Sequence, residues 1–282
     1  MPLISSLSRS AALRRVVRGL RLHKLGNAWL RRFPKLARLP GGGVTWRATR
    51  LESIPLAYEM FERGNLYDAA LLPKDFTTFA DLGCNVGYFT CWLAHLAQGR
   101  KLKGLMFDAN PDAVEEARWH AQANGMNEVF GVHGILGESS PTGAVDFYLY
   151  ESNICSTSQL PDLEKMGLKG KWTKISVPIV SLEAEWRKHF GDTRCHLLKV
   201  DIEGSEMSFL KAEQSFLALA DSVLIEWHKW RVSLDEVTSF LAARGFAYVK
   251  TLEENENMGT SFFCQSSAFT RPGYGVRPTR NG

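Results

Sequence analysis

The stretch FTTFADLGCNVGYFTCWLAHLAQGRKLKGLMFDAN, residues 76–110, decides the fold of this chain. Its apolar residues and glycines predict a strand ending at Asp81, a glycine turn over residues 83–87, a helix over residues 89–98 and a second strand ending at Asp108. The stretch therefore predicts a unit of strand, turn, helix and strand, with an acid at the tip of each strand.

A unit of this kind is typical of a nucleoside site. A glycine turn lets a ligand approach the backbone, and the helix that follows directs its unpaired N–H groups at that ligand. An acid at the end of the second strand suits the two hydroxyls of a ribose. The alternative is a purely structural turn between strand and helix, because such turns are common in α/β proteins.

The spacing of the glycines within the turn distinguishes between kinds of nucleoside ligand. The dinucleotide pattern G-x-G-x-x-G, begun at Gly83, requires glycines where the chain has Asn85 and Tyr88, and the Gly-Lys-Ser/Thr end of a P-loop is absent. The pattern that remains, D-x-G-x-N-x-G-x-F, suits S-adenosylmethionine. Asp81 and the loop amides would lie near the amino-acid end of this cofactor, and Asp108 on its ribose.

Size and composition set the broad class of the protein. A chain of 282 residues with 45% hydrophobic residues can bury a large core, and it has no apolar run near the length of about 18 residues that spans a membrane. Its five cysteines are odd in number and form no C-x-x-C pair. Neither a zinc site nor a disulfide framework is indicated, so a reducing, cytoplasmic location is expected.

The N-terminal region is strongly basic, with twelve Arg or Lys in residues 1–51 and no acid before Glu52. Between residues 5 and 33, leucines and valines recur at helical spacing with cations between them, which predicts a basic amphipathic helix. Such a helix can contact an anionic membrane surface through residues 5–38, pack on the core or on a partner subunit, or act as an organellar presequence. The sequence leaves these three alternatives open.

Composition also predicts the domain organisation. The run Pro40-Gly41-Gly42-Gly43 indicates a flexible joint, so residues 1–43 are expected to form an extension, residues 44–265 the nucleoside-binding domain and residues 266–282 a disordered tail. Residues 143–180 interrupt the α/β alternation, because two strand-like runs flank a long polar stretch. This segment predicts a substrate-facing insert, with a plain surface excursion as the alternative.

Acids follow four of the predicted strands, and ligands of open α/β sheets bind at the carboxyl ends of strands. The acids are Asp81, Asp108, Asp201 and Glu226, and His228 lies just beyond the last one. The adenine is expected beside the end of the third strand. The candidate cofactor-binding residues are Tyr67, Asp81, Gly83, Asn85, Gly87, Phe89, Asp108, Asn110, Ile135, Leu136 and Asp201.

The candidate catalytic residues are Asp201, Glu226 and His228. Methyl transfer to oxygen needs a base, since a neutral alcohol is a poor nucleophile. Asp201 or His228 is expected to be that base, and Glu226 would raise the pKa of His228 or orient its ring. No metal requirement is predicted, although these three residues and Glu203 could hold a divalent ion.

Five blocks of this sequence resemble the FkbM-like methyltransferases in order and spacing. The central block is LLKVDIEGSEMSFL, residues 197–210, and the others are FADLGCNVGYF, FDANP, VPIVSL and LIEWH. The resemblance covers about residues 52–265. One departure concerns the ribose contact, because Asp108 and Ala109 stand where the family usually has Glu-Pro.

The resemblance implies a class I methyltransferase fold: a doubly wound, mostly parallel seven-stranded sheet with a terminal antiparallel strand. It also implies an S-adenosylmethionine-dependent O-methyltransferase acting on a hydroxyl of a sugar, a glycan or glycolipid, or a polyketide-like acceptor. The alternative is a non-catalytic nucleoside-binding module tethered to an anionic surface by its basic arm. Nucleic acid is not expected as a partner, because KVDIEG at residues 199–204 lacks the Asn/Asp-Pro-Pro-aromatic element of base N-methylation.

Overall fold

The fold is described from a computed structural model covering residues 22–39, 43–62, 67–137, 140–150 and 172–268. The helices are α1 (Leu22–Arg32), α2 (Ser53–Phe61), α3 (Tyr88–Ala97), α4 (Pro111–Ala123), α5 (Leu182–Phe190), α6 (Glu206–Ala212), α7 (Gln214–Leu217) and α8 (Leu234–Ala242). The strands are β1 (Lys35–Arg38), β2 (Thr45–Ala48), β3 (Thr78–Leu82), β4 (Lys103–Asp108), β5 (Glu128–His133), β6 (Ala144–Tyr150), β7 (Trp172–Pro178), β8 (Leu197–Val200), β9 (Ser222–His228), β10 (Phe246–Glu254) and β11 (Met258–Gln265).

A seven-stranded sheet in the order β10-β11-β9-β8-β3-β4-β5 forms the centre of the molecule. The pairs from β9 to β5 are parallel, whereas β11 is antiparallel to both β9 and β10. The strand order reverses direction at β3, so the crevice for a ligand lies at the carboxyl ends of β3 and β8. This arrangement confirms the predicted class I methyltransferase fold.

The central strands are apolar because both of their faces are covered. Every residue of β3 and β8 is buried, as expected for parallel strands packed between helices. The sequence also predicts two helix starts, a cap at Asn110 and a capping box from Ser233 to Glu236, and the structure has both. The Asn110 side chain accepts a hydrogen bond from the Asp112 N–H at the start of α4, and Ser233 and Glu236 form a capping box on α8.

The sequence predicts that residues 201–206 lead into one helix that reaches about Ala220, and this helix is interrupted. The structure has α6 and α7 instead, with Glu213 between them in a non-helical conformation. The Glu213 carboxylate accepts hydrogen bonds from the backbone N–H groups of Leu182 and Glu183. The break occurs where Glu213 satisfies unpaired donors at the start of α5, a contact between residues distant in sequence.

The N-terminal part of the described chain is a helix followed by a hairpin. Of the helix predicted over residues 5–33, α1 is described and residues 5–21 lie outside the described part. Strands β1 and β2 pair across the predicted joint, and the Leu39 N–H donates to the Val44 carbonyl, 2.9 Å away. Leu39, Val44 and Trp46 are buried against α2 and the start of α3. The domain boundary between residues 43 and 44 stays a prediction. The disordered tail also stays a prediction, and residues 269–282 of it lie outside the described part.

The insert contributes an antiparallel pair, β6 and β7, that borders the central sheet. A parallel bridge joins Ile135 to Ile179, and Ile135, Phe147 and Val177 form a small core between the pair and the sheet. The polar stretch of the insert, residues 151–171, lies outside the described residues. Among the described helices, none combines the length and apolar character needed to cross a bilayer.

Candidate active site

A cavity of about 850 Å³ opens at the carboxyl ends of β3, β4, β5, β8 and β9. It is closed on its sides by α2, by the turn after β9 and by the loop between β10 and β11. The sequence-predicted residues that line it are Tyr67, Gly83, Asn85, Phe89, Asp108, Asn110, Ile135, Leu136, Asp201, Glu226 and His228. The structure therefore gathers eleven of the thirteen predicted site residues around one space, leaving Asp81 and Gly87 outside its wall.

The glycine turn brings the ends of β3 and β8 together. Gly83 has a φ of +72°, and a Cβ placed on it would overlap the carbonyl oxygen of Asp201. The Asp201 N–H in turn donates to the Leu82 carbonyl, 3.0 Å away. Glycine is thus required here both by the left-handed backbone and by the close approach of the β8 loop.

Asp108 fastens this turn to the end of β4. One of its carboxylate oxygens accepts from the Asn85 N–H and the other from the Asn110 N–H, each at 2.8 Å. Burial raises the pKa of Asp108 to about 6. The hydrogen bonds from the two N–H groups act in the opposite direction but are outweighed. The carboxylate is therefore held in a fixed orientation at the cavity wall.

An apolar corner lies beside Asp108. Ala109, Ile135, Leu136 and Phe147 line the cavity there. Phe147 belongs to β6, so the insert supplies part of the cavity wall. Sequence reasoning did not identify Phe147, because its position depends on how β6 packs on the sheet.

Asp81 lies beneath the cavity floor. It is fully buried, its Oδ1 is 3.4 Å from Lys199 Nζ, and its Oδ2 accepts a hydrogen bond from the Thr90 hydroxyl at 3.2 Å. Lys199 Nζ is also 3.1 Å from Asp201 Oδ2. The expectation that Asp81 contacts a ligand directly is not met, because its carboxylate is engaged by Lys199 and Thr90.

The charge of Lys199 is maintained by its partners. Burial alone would lower the pKa of Lys199, but the charges of Asp201 and Asp81 outweigh it and raise that pKa well above the ordinary value. A lysine within an apolar strand is expected to be structural or paired with an acid. The structure pairs it with two acids and also places it in the cavity wall.

Gly87 also serves the framework rather than the cavity. A Cβ on Gly87 would lie 2.9 Å from the Cα of Ala117, so the glycine permits close packing of α3 on α4. Phe89 and Tyr67 do reach the cavity, with ring centroids 5.0 Å apart in an edge-to-face arrangement. Burial raises the pKa of Tyr67, so its hydroxyl stays protonated.

An acid and histidine cluster occupies the ends of β8 and β9. His228 Nδ1 is 2.9 Å from Glu206 Oε1, and its Nε2 is 3.3 Å from Glu203 Oε2 and 3.6 Å from Glu226 Oε1. Strand β9 continues through Trp227, so Glu226 and His228 share one face of it. Glu206 was not among the predicted site residues, and Glu203 was named only as a possible ligand of a divalent ion, although both stand in the KVDIEGSE stretch.

These contacts determine the charge of His228. Burial alone would lower the pKa of His228, but Glu203 and Glu206 outweigh it and raise the pKa to about 12. The imidazole is then protonated near neutral pH and has no free site to accept a proton. The expectation that His228 is the base is therefore not supported, because its ion pairs hold it in the acidic form.

Glu226, unlike His228, has a pKa close to neutral pH. Burial, followed by the charge of Asp201, raises the pKa of Glu226 to about 8. A carboxylate of this pKa exchanges protons near neutral pH, which is the property required of a general base.

The same cluster contains a set of possible metal ligands. Asp201, Glu203 and His228 each offer one ligand atom, and these atoms lie within 4.8 Å of one another. The other ring nitrogen of His228, Nδ1, donates its N–H to the Glu206 carboxylate at 2.9 Å, as in many metal-bound histidines. The three residues can hold a divalent cation; in its absence the imidazolium neutralises part of the charge of the carboxylates.

The mouth of the cavity is formed by segments distant in sequence. Lys229 and Trp230 follow β9, and the acidic loop over residues 253–257 lies opposite. The Lys229 N–H donates to the Asn257 carbonyl at 2.8 Å, which ties the two segments together. A Cβ on Gly204 would overlap the Trp230 ring, so the β8 loop packs closely on it. The sequence of this loop, EENEN, is acidic, but no local pattern in it indicates that it borders the site.

Comparison with known proteins identifies the family of the chain. The family model described as the methyltransferase FkbM domain matches residues 81–248, more than half of the chain and within the predicted domain 44–265. The comparison with curated proteins gave no match. Similar solved structures include magnesium protoporphyrin IX methyltransferase from Synechocystis PCC 6803 with bound SAM, at 13% identity and a TM-score of 0.39 over 76% of this chain and 77% of that chain.

A SAM-dependent methyltransferase from Aquifex aeolicus is also similar, at 13% identity and a TM-score of 0.41 over 74% of this chain and 92% of that chain. The family match carries the assignment, and the sheet order and the glycine turn agree with it. The chain belongs to the FkbM methyltransferase family and is an S-adenosylmethionine-dependent methyltransferase.

Proposed function

We propose that the protein transfers the methyl group of S-adenosylmethionine to a hydroxyl of a sugar, a glycan or glycolipid, or a polyketide-like acceptor. The observation that carries this proposal is Glu226, a cavity-lining carboxylate whose pKa is raised to about 8. An alcohol needs a base of this kind, whereas a neutral amine already has a lone pair for attack.

The cavity residues suit each part of the cofactor. Asp108 offers carboxylate oxygens to the ribose hydroxyls, and the backbone of the loop over residues 83–87 would face the amino-acid end. The corner with Ile135, Leu136 and Phe147 is apolar, which suits the faces of an adenine ring. When bound, S-adenosylmethionine supplies an electrophilic methyl group on a positively charged sulfur.

Glu226 is assigned as the base and His228 as a positioning residue. The Glu226 carboxylate would take the proton of the acceptor hydroxyl as the oxygen approaches the methyl group. His228 Nε2 lies 3.6 Å from Glu226 Oε1 and 3.3 Å from Glu203 Oε2, and Nδ1 on the other side of the ring is held by Glu206. Asp201 is anchored by Lys199 and would border the reacting centre.

The acids of the cavity favour a neutral, hydroxyl-rich acceptor. Glu59, Glu203, Glu253 and Glu256 line the cavity, and carboxylates accept hydrogen bonds from hydroxyl groups. Trp230 adds an aromatic surface on which a sugar ring can pack. The same acids would repel phosphates, which argues against a nucleic-acid acceptor despite the basic N-terminal region.

The test is to supply the purified chain with S-adenosylmethionine and a panel of neutral glycans, glycolipids and polyketide-like alcohols, with RNA and DNA alongside. Mass spectrometry of the products then locates the added methyl group. The proposal expects the methyl group on an oxygen of a neutral acceptor. A methyl group on nitrogen, or on nucleic acid, would show that the acceptor class is different.

A further inference from the structure

Four large apolar side chains near the described N-terminus face solvent. We name them the N-terminal apolar surface: Leu25 (68% exposed), Trp29 (60%), Phe33 (57%) and Leu36 (61%). The rings of Trp29 and Phe33 lie 5.8 Å apart between centroids, so neighbouring members of the surface are in contact. Exposed apolar side chains clustered in this way commonly mark an interaction site.

Helix α1 is held on the protein by a different face. Leu30 is buried, the Asn27 side chain accepts from the Leu51 N–H at 2.8 Å, and it donates to Glu52 at 3.2 Å. These contacts fix the orientation of α1. Leu25 and Trp29 are therefore held outward by the packing of the helix, and no residue of the described part of the chain covers them.

The segment that carries the surface is rich in positive charge, and among its cations Arg31 lies 3.7 Å from the exposed Asp112. Residues 22–39 contain Lys24, Arg31, Arg32, Lys35 and Arg38 and no acid, and each of these five cations is exposed. Residues 1–21, which lie outside the described part, add five more arginines and again no acid. A partner of this surface must therefore accept apolar side chains and carry negative charge at the same place.

We propose that the N-terminal apolar surface binds an anionic phospholipid bilayer, inserting Leu25, Trp29, Phe33 and Leu36 among the lipids while the surrounding cations contact the headgroups. Tryptophan beside leucine, with cations at the border, is the composition of helices that lie in the membrane interface. A second copy of this chain, or residues 1–21 folded onto the surface, would bring like charges together. This proposal does not depend on the identity of the methyl acceptor.

The surface is connected to the active-site wall through α2. Leu51 and Glu52, which contact α1, immediately precede that helix, and α2 supplies Leu56, Glu59 and Met60 to the cavity. Membrane docking through α1 would therefore hold this side of the cavity near the bilayer.

The proposal is tested by co-sedimentation of the full chain with two kinds of vesicle: phosphatidylcholine alone, and phosphatidylcholine with about a third of phosphatidylglycerol. The chain should sediment with the anionic vesicles and not with the neutral ones, and raising the salt from about 0.1 M to 0.5 M should weaken binding. Replacing both Leu25 and Trp29 by serine should reduce binding by about tenfold or more.

A matched pair of charge reversals tests the electrostatic part. Arg38→Glu, at the surface, should reduce binding to anionic vesicles by about fivefold or more, whereas Lys101→Glu, at an exposed site before β4, should not. Both variants should bind S-adenosylmethionine as the wild type does, which shows that they are folded.

Equal binding to neutral vesicles, or unchanged binding by the Leu25 and Trp29 double variant, would overturn the proposal. The same holds if the chain ignores vesicles and sediments as a dimer that the double variant abolishes, since the surface would then join two copies.

Discussion

At the scale of single residues, the site depends on carboxylates whose environments differ sharply. Asp81 is sealed beneath the floor by Lys199, Asp108 is fixed by two backbone N–H groups, and Glu226 faces the cavity beside the His228 imidazolium. The sequence places all three acids at strand ends. It does not reveal which of them are neutralised, because Lys199 and Glu206 act through contacts that only the folded chain makes.

Asp108→Ala is expected to weaken S-adenosylmethionine binding by about 1–3 kcal/mol, because charge-assisted hydrogen bonds to the ribose are lost. Since the pKa of Asp108 is about 6, the affinity of the wild type should also fall as the pH is lowered through that value. Calorimetry measures both effects, and Asp146→Ala, at an exposed site on β6, is the control. Unchanged affinity in Asp108→Ala would remove Asp108 from the ribose site.

His228→Gln is expected to lower the free energy of unfolding by about 3 kcal/mol near neutral pH, because buried carboxylates lose their cation. The folded-state pKa of about 12 lies above the unfolded value, so this stabilisation is full below about pH 6.5 and is lost as the pH rises towards 12. Urea unfolding should show the difference between wild type and variant shrinking from about pH 7 to pH 10. His95→Gln, at the end of α3, is the control; a difference that grows with pH would contradict the ion pairing.

At the scale of elements, the sequence predicts those whose signals are local. The cap at Asn110, the capping box at Ser233 and the strand that ends at Asp81 are all found near the predicted positions. The break at Glu213 and the β1–β2 hairpin were missed. Both depend on partners distant in sequence: the start of α5 for Glu213, and the apolar faces of α2 and α3 for the hairpin.

The glycine turn offers a test at this scale. Gly83→Ala should destabilise the fold and abolish cofactor binding, because the added Cβ overlaps the Asp201 carbonyl oxygen. Gly99→Ala is a matched control, since Gly99 also has a positive φ, +88°, but no atom lies within 4 Å of its Cβ position. The control should cost only about 1 kcal/mol of backbone strain and leave binding intact. Equal effects of the two changes on thermal unfolding and calorimetry would mean that the close approach is unimportant.

At the scale of the whole molecule, the fold could be predicted from the sequence because its strands, helices and acids recur in a regular order. Much of the cavity mouth could not be predicted from the sequence. It joins the β8 loop, Trp230 and the acidic loop over residues 253–257, which meet only because β11 inserts between β9 and β10. No local pattern in the sequence encodes that insertion.

Cofactor binding should stabilise the whole domain, because the cavity joins the ends of β3, β4, β5, β8 and β9. At a S-adenosylmethionine concentration about 100 times its dissociation constant, the free energy of unfolding should rise by about 2.7 kcal/mol. NADH at the same concentration should leave the melting temperature unchanged, since the turn lacks the dinucleotide glycines. Stabilisation by NADH alone would contradict the cofactor assignment.

The most direct test of the account compares turnover of the wild type and Glu226→Gln on an identified acceptor, with a chelator present throughout. Wild-type activity should persist and rise with pH through about 8, as Glu226 loses its proton. Glu226→Gln should lower kcat by about 100-fold or more and remove that rise, with S-adenosylmethionine affinity unchanged, while Glu115→Gln on α4 behaves as the wild type. Full turnover by Glu226→Gln, or loss of wild-type turnover in the chelator, would contradict catalysis by a Glu226 carboxylate acting without a metal.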